Sequence, residues 1–253
     1  MKSIDLNCDM GEVPEAITDG TQESLMSFIT SINVACGAHA GDERSMRATI
    51  QQALRWKVAI GAHPGYPDRL HFGRVALELP RDAIVDSVFE QVSCFAKVAA
   101  ACGARVSHVK PHGALYNQAA GSFVTADAIA AGVARWSRDV ILVGLAGSPM
   151  LDVFRDDGFR VAAEGFADRR YEPDGTLRSR KFPDALIHDP AEAGRQALLI
   201  ANRGAAVACN GNEVVVNAQT ICIHGDAAGA LEIAAAVARE LGQSGVALRA
   251  LGP

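Results

Sequence analysis

The chain has 253 residues, 49% of them hydrophobic and 21% charged, which is enough apolar material for one large core. The formal net charge is −5, and because no basic patch stands out, nucleic acid is not an expected partner. The longest apolar runs, such as residues 140–147, are too short to cross a bilayer, so no membrane association is expected.

The remaining composition indicates a cytoplasmic protein built as a single domain, residues 1–253. The N-terminal stretch reaches Asp5 almost at once, which is unlike a signal peptide. Six cysteines are present without a C-x-x-C pair, and in a chain without an export signal they are expected to be reduced thiols. No stretch rich in serine and proline divides the sequence into two parts.

The first half of the chain predicts strands alternating with helices. Strands are predicted at residues 3–7, 31–36, 58–62 and 106–110, and helices at 23–30, 42–56 and 80–102. Asp42 is a good N-cap for the second helix. Pro111 ends the fourth strand, because proline has no N–H for the ladder and disfavours a helix before it. Each strand leads into a loop that combines glycine or proline with acids or histidines.

The second half continues the alternation. Strands are predicted at residues 139–145, 161–165 and 219–223, with shorter pieces at 213–216 and 246–250. Helices are predicted at 125–136, capped by Thr125, and at 149–157, 190–202 and 227–241. Residues 172–188 form a polar loop that is too long for a simple connection, so a functional or mobile segment is expected there.

This alternation requires a parallel sheet with right-handed crossovers. Seven βα units can close into an irregular seven-stranded parallel (β/α) barrel, and an open doubly wound sheet is the competing architecture. Polar residues follow strands one, two, three, four, six and seven. In a barrel all of these meet at one mouth, whereas in an open sheet those after edge strands would lie far apart. The sequence therefore favours the barrel.

The predicted mouth gathers twelve residues: Asn7, Asp9, Glu12, His39, His63, Lys110, His112, Glu164, Asp168, Arg169, His224 and Asp226. One chemistry for this set is metal-assisted hydrolysis, with Asp9, His39 and His63 around one divalent ion. The other is metal-free hydrolysis of an amide, with a carboxylate base and Lys110 or His112 as proton donor or oxyanion stabiliser. Spacing leaves both open. His108 lies inside the fourth strand, and an outward orientation toward the helices is also open.

Six motifs, in order along the chain, resemble the LamB/YcsF family. They are D-L-N-C-D-M-G-E, N-V-A-C-G-A-H-A-G-D, A-I-G-A-H-P-G-Y-P-D, H-V-K-P-H-G-A-L-Y-N, E-G-F-A-D-R-R-Y and I-C-I-H-G-D. The match runs from residue 4 to about residue 226. Cys8 and Arg170 depart from the family pattern without removing a titratable mouth residue.

The resemblance implies the α/β barrel of the glycoside hydrolase/deacetylase fold and a cytoplasmic hydrolase. This enzyme opens the lactam of 5-oxo-L-proline to L-glutamate while ATP is hydrolysed, and it works with two further subunits, B and C. No P-loop is present, so ATP is expected to be bound together with the partner subunits. The sequence is also compatible with a homo-oligomer.

Roles for the mouth residues follow from this resemblance and from the chemistry above. The expected catalytic set is Asp9, Lys110, His112, Glu164 and Asp168. The expected substrate-binding set is Asn7, Glu12, His39, Arg169, His224 and Asp226. Two alternatives are kept: a metal-dependent deacetylase of a carbohydrate or small amide, suggested by the fold analogy, and a non-catalytic regulator that binds a sugar or an amino acid.

Overall fold

The computed structural model describes residues 2–226 and 229–252. Ten strands occur in these ranges: β1 (Ser3–Met10), β2 (Ser31–Ala35), β3 (Ala59–His63), β4 (Val106–Val109), β5 (Ile141–Leu145), β6 (Arg160–Phe166), β7 (Ala205–Val207), β8 (Glu213–Val215), β9 (Thr220–Ile223) and β10 (Ala247–Leu248). Seven of them pair in parallel in the order β1–β2–β3–β4–β5–β6–β9, and β9 pairs back onto β1. The predicted seven-stranded barrel is therefore confirmed.

Nine helices occur in the described ranges, and most of them cover the outside of the barrel. They are α1 (Pro14–Thr18), α2 (Thr21–Leu25), α3 (Glu43–Trp56), α4 (Arg81–Ala101), α5 (Gly113–Gly121), α6 (Phe123–Ala134), α7 (Met150–Asp156), α8 (Pro190–Arg203) and α9 (Ala230–Gln243). None of the described helices has the length and apolar character that a membrane span requires. The antiparallel hairpin β7–β8 lies beside the barrel sheet rather than in it.

Several predicted elements differ from the observed ones in informative ways. The first strand runs on to Met10, so Asp9 lies in the strand and not in the following loop. Helix α5 was not predicted, because Gly113 was expected to mark a turn; it instead begins the helix with a positive φ of 52°. The cap of α6 is Ser122 and not Thr125, whose backbone N–H donates to the serine hydroxyl.

Other helix ends agree with their expected chemistry. Asp42 caps α3 as predicted, and its side chain and that of Ser45 form a reciprocal capping box. The last helix was predicted at residues 227–241, and α9 begins at Ala230. The first two residues of that predicted helix, Ala227 and Ala228, lie outside the described residues.

The barrel interior is polar, and the main apolar core lies between the strands and the helices. In β1 the even-numbered side chains, such as Leu6, face that outer core, whereas Asp5, Asn7 and Asp9 face inward. At the amino end of β5, Ile141 packs with Leu251 of the C-terminal tail in a small apolar cluster. This small apolar cluster lies at the amino end of β5, and polar side chains fill the barrel on the β1 side.

Asp5 and Asn33 organise the polar interior. Asp5 accepts hydrogen bonds from Thr30, Ser31 and Thr220, and burial raises its pKa. Asn33 donates to Asn7 Oδ1 and to Asp9 Oδ1, both at 2.8 Å. Because buried polar groups are costly unless they are hydrogen-bonded, this network fixes the orientation of the side chains that lie under the mouth.

Candidate active site

A cavity of about 600 Å³ opens at the carboxyl end of the barrel strands. Six of the twelve predicted mouth residues line it: Asp9, His63, Lys110, His112, Arg169 and His224. The other six contact a lining side chain from behind or from the side: Asn7, Glu12, His39, Glu164, Asp168 and Asp226. All twelve residues therefore lie at this cavity or in contact with a residue that lines it.

Lys110 lies at the floor of the cavity and is 3% exposed. Its Nζ is 2.9 Å from Asp9 Oδ1, 2.9 Å from Glu164 Oε1, 3.1 Å from Cys222 Sγ and 3.3 Å from Asn7 Oδ1. Burial alone would lower the pKa of Lys110, but the charges around it, chiefly that of Asp9, hold this pKa well above its usual value. An ammonium has three N–H donors, so these four neighbours already occupy all of them.

Asp9 connects Lys110 to a pair of histidines. Burial works against its charge, but His63 and Lys110 together hold the pKa of Asp9 well below the usual value. The side chain is therefore a carboxylate in the native protein. Its Oδ1 accepts from Lys110 and Asn33, and its Oδ2 lies 3.4 Å from His63 Nε2. The second oxygen is thus the one directed toward the histidines.

Two backbone carbonyls fix the tautomers of the histidine pair. His63 Nδ1–H donates to the carbonyl oxygen of Lys110 at 2.7 Å, and His112 Nε2–H donates to that of Phe72 at 2.8 Å. The two remaining ring nitrogens, His63 Nε2 and His112 Nδ1, are 3.0 Å apart. If both rings were neutral, two lone pairs would face each other at that distance. The geometry therefore calls for a proton or a cation between them.

His39 supports this pair from behind. Its ring stacks on that of His112 with the centroids 3.8 Å apart, and its Nε2–H donates to Glu12 Oε1 at 3.0 Å. Burial lowers the pKa of His39 to about 4, so the ring is neutral. Gly73 has a φ of 63°, and a Cβ there would lie 2.8 Å from His39 Cβ. Glycine is thus required for the stacked rings to sit under the loop.

The described residues contain three groups able to hold a metal ion: Asp9–His63–His112, Glu12–His39–His112 and Asp9–Cys222–His224. The predicted set Asp9–His39–His63 is not one of them, since His112 takes the place of His39 beside Asp9 and His63. In Asp9–His63–His112 each imidazole presents a bare nitrogen and donates its other N–H to a carbonyl. That is the support that metal-ligating histidines usually have, so this donor set fits a divalent ion.

His224 and Asp168 form a second acid–base unit at the mouth. His224 Nδ1–H donates to Asp168 Oδ1 at 2.9 Å, and the backbone N–H of His224 donates to Asp168 Oδ2 at 2.9 Å. Burial opposes the charge of Asp168, but His224 outweighs it and lowers the pKa of the carboxyl. Because Asp168 fixes Nδ1, the imidazole Nε2 is the atom left for the cavity. Asp168 thus orients His224 and does not itself line the cavity.

The cavity is also lined by residues that were not predicted from the sequence: Arg74, Tyr116, Asn117, Phe166, Thr176, Ser179, Arg180 and Lys181. Arg180 and Lys181 lie in the polar segment 172–188, whose length marked it as functional, and two adjacent cations were the available signal. The structure also shows that His108 faces the barrel interior, where its Nε2–H donates to Asn33 Oδ1. Gly61 makes room for it, since a Cβ there would lie 2.2 Å from His108 Nε2.

Fold and site together define a parallel (β/α) barrel with acid–base side chains gathered at the carboxyl ends of its strands, as barrel enzymes have them. The chain belongs to the LamB/YcsF family, whose model matches residues 4–253. A relative from Chloroflexus aggregans, named as the A subunit of 5-oxoprolinase, is 47% identical over 98% of this chain and 99% of its own length. A relative of the same name from Methylococcus capsulatus is 46% identical over 99% of this chain and 96% of its own length.

Solved structures agree with the family assignment. The lactam utilization protein from Thermus thermophilus superposes with a TM-score of 0.91 at 38% identity, over 98% of this chain and 100% of that one. A family 4 carbohydrate esterase from Streptomyces lividans superposes with a TM-score of 0.53 at 10% identity, over 98% of this chain and 91% of the esterase chain. The second likeness shows that the fold is shared and no more.

Proposed function

We propose that this chain is the lactam-opening subunit of an ATP-dependent 5-oxoprolinase, which converts 5-oxo-L-proline to L-glutamate together with subunits B and C. The observation that carries this proposal is the match over nearly the whole chain, at 47% identity, to a relative named as the A subunit of 5-oxoprolinase. The test is ATP-dependent release of glutamate from 5-oxo-L-proline by the three proteins together. In this proposal the chain acts as one cytoplasmic domain, residues 1–253.

The cavity offers the groups that lactam opening needs. Water must add to the carbonyl carbon, the ring C–N bond must break, and the departing nitrogen must take up a proton. Without a bound metal, Asp9 Oδ2 and the His63–His112 pair are the groups placed to accept a proton from water. His224, oriented by Asp168, donates a proton to the ring nitrogen through Nε2. This division uses two separate acid–base units in one cavity.

Lys110 and Glu164 support the groups that exchange protons with the substrate. Glu164 is 0% exposed and does not line the cavity, so its proposed part is to hold Lys110 and not to meet the substrate. Lys110 in turn keeps Asp9 charged and directs Oδ2 toward the histidines. Asn7 joins both through its side-chain amide. The predicted roles of these three residues thus become electrostatic and positional.

ATP is proposed to be bound by subunits B and C, because this chain has no P-loop. A five-membered lactam is a stable amide, and phosphorylation of its oxygen would make the carbonyl carbon more electrophilic. The segment 172–188 is the proposed partner contact: it lies at the cavity and exposes Phe182, whose side chain packs over Arg178. Docking there would keep an activated lactam away from bulk water.

Asp9, His63 and His112 would hold a divalent ion, which would supply a polarised water or carbonyl in the cavity. Protein purified without chelator is expected to carry about one ion per chain, because this donor set fits a metal. Metal analysis of His112→Ala should then show loss of the ion. The matched variant His39→Ala removes the histidine that stacks on His112 from behind, and it should still bind the ion. Equal loss in both, or no metal in the wild type, would contradict this ligand set.

One observation favours a second candidate, a metal-dependent deacetylase that works alone. The set Asp9–His63–His112 fits a divalent ion, which a metal-dependent hydrolase would need. Partner dependence separates the two candidates. A deacetylase should release acetate from an acetylated sugar without subunits B and C and without ATP, whereas the 5-oxoprolinase component should need all three.

A further inference from the structure

The wall of the cavity formed by the segment between β6 and α8 carries an excess of positive charge. Arg169, Arg180 and Lys181 all line the cavity. In the part of the chain that the structure describes, none of the three forms an ion pair, although the neighbouring Arg178 is paired with both Glu172 and Asp184. Three cations at one wall without a carboxylate partner point to an anionic ligand.

The other cations of the cavity are already engaged. Lys110 has its three N–H donors committed to Asp9, Glu164 and the neighbouring Cys222 and Asn7. Arg74 is paired with Asp226. A ligand carboxylate that approached either residue would have to displace a carboxylate of the protein. An anionic ligand is therefore expected at the wall that carries Arg169, which was predicted as a substrate-binding residue.

Arg169 has the features of a ligand-binding residue and not those of an exposed surface cation. It is only 5% exposed, and burial together with the nearby charge of Arg180 lowers its pKa to about 10. One terminal N–H of Arg169 donates to the carbonyl of Arg178 at 2.7 Å, and the side-chain amide of Gln196 donates to the backbone carbonyl of Arg169 at 2.8 Å. Among the described residues its Nε–H finds no acceptor. A buried, oriented guanidinium with an unused donor suits a carboxylate.

We propose that Arg169, with Arg180 and Lys181 at the rim, forms the subsite for the carboxylate of the lactam substrate. This inference rests on the proposed function, since 5-oxo-L-proline carries one carboxylate on the carbon beside its ring nitrogen. Holding that carboxylate at the Arg169 wall leaves the lactam ring for the Asp9, His63, His112 and His224 side of the cavity. A lactam without the carboxylate lacks this anchor.

The test uses the complete enzyme, this chain with subunits B and C, and compares 5-oxo-L-proline with its uncharged amide, 5-oxo-L-prolinamide. In Arg169→Met we expect KM for 5-oxo-L-proline to rise roughly 10- to 100-fold, the range for losing a hydrogen bond to a charged group. In Arg180→Met, which removes an exposed cation, the rise should be smaller, roughly two- to fivefold. The apparent KM for the amide should change little. Arg155→Met removes an exposed, paired arginine of α7 and is the matched control.

The outcomes separate this inference from the proposed function. If the wild-type complex releases glutamate but both variants keep its KM, the carboxylate subsite is wrong and the function stands. If the wild-type complex releases no glutamate, the proposed function fails and the subsite fails with it. Arg180 is exposed, so Arg180→Met decides the question if Arg169→Met does not fold. Arg169→Lys, which keeps the charge but not the two-pronged donor, should recover part of the affinity.

Discussion

Lys110 balances the charge of the barrel interior, because it is the cation between the carboxylates of Asp9 and Glu164. We expect Lys110→Met to lose turnover by roughly 100-fold or more, the scale of removing one electrostatic stabiliser. It should also lower the free energy of unfolding by about 3–5 kcal/mol, since two buried carboxylates lose their partner. Steady-state assays and urea unfolding measure the two effects.

A second variant separates the two effects of Lys110. In Lys110→Met/Glu164→Gln one of the two unpaired carboxylates is neutral, so much of the lost stability should return. Turnover should not return, because Asp9 still lacks the cation that holds it. Near-normal turnover in a folded Lys110→Met variant would show that the lysine has only a structural part.

His108 makes stability depend on pH. Burial lowers its pKa to about 3, from 6.5 in an exposed histidine. Between these values the unfolded chain binds a proton at this residue that the native protein does not bind, so the free energy of unfolding falls as the pH falls. From about pH 7 to about pH 5 this residue should account for a loss of about 2 kcal/mol.

The check on His108 is urea unfolding at several pH values for the wild type and His108→Gln. Glutamine does not titrate, so the variant should lose stability less steeply over this pH range, even if it is less stable at neutral pH. Parallel curves for the two proteins would contradict the assignment of a neutral, buried His108 donating to Asn33.

At the scale of elements, the segment between β6 and α8 is ordered by Arg178. This side chain pairs with Glu172 at 2.9 Å and Asp184 at 2.8 Å and stacks over Phe182, while its carbonyl holds Arg169. In Arg178→Ala we expect KM for 5-oxo-L-proline to rise by less than roughly tenfold, as expected for a partly exposed ion-pair network, with kcat nearly unchanged. Proteolysis within residues 172–188 should become faster.

The control for this prediction is Arg155→Ala, which breaks an exposed pair with Asp152 on α7, away from the cavity. It should leave both KM and the proteolysis pattern as in the wild type. If Arg178→Ala behaves in the same way as this control, the segment does not depend on its ion pairs for order.

The strands and most helices were predictable because their signals are local. Short strand-like runs followed by glycine or proline marked all seven barrel strands, and Asp42 marked the start of α3. Helix α5 was missed because Gly113 looks like a turn residue in isolation, whereas the native backbone uses its positive φ to begin the helix directly after Pro111 and His112. The segment 172–188 was expected as a loop, and a contact that no local pattern reveals, the pair of Arg170 with Glu192 of α8, links the two sides of it.

For the molecule as a whole, closure of the barrel brings residues from distant parts of the sequence together. That the mouth residues would meet was predictable from their place after strands. Which of them touch was not, because Lys110 lies 101 residues from Asp9 and 112 from Cys222 along the chain. The exchange of His39 for His112 beside His63 likewise depends on the carbonyl of Phe72 and on Gly73, which no local pattern reveals.

At the scale of the whole molecule, this chain and its proposed partners are expected to carry out different parts of the reaction. The barrel holds acid–base groups and a cationic wall in one cavity, but the sequence has no P-loop. We therefore expect the isolated chain to leave ATP unhydrolysed and to bind 5-oxo-L-proline weakly if at all. Activity should appear only when subunits B and C are present.

The most direct test is reconstitution with purified proteins. This chain, subunits B and C, ATP and 5-oxo-L-proline are combined, each is then omitted in turn, and glutamate and ADP are measured. The account predicts ATP-dependent glutamate release only in the complete mixture, and its loss when Lys110→Met replaces the wild type. Full ATP-coupled activity from this chain alone would contradict the division of labour. If the complete mixture releases no glutamate, and this chain alone releases acetate from an acetylated sugar, the proposed function is contradicted.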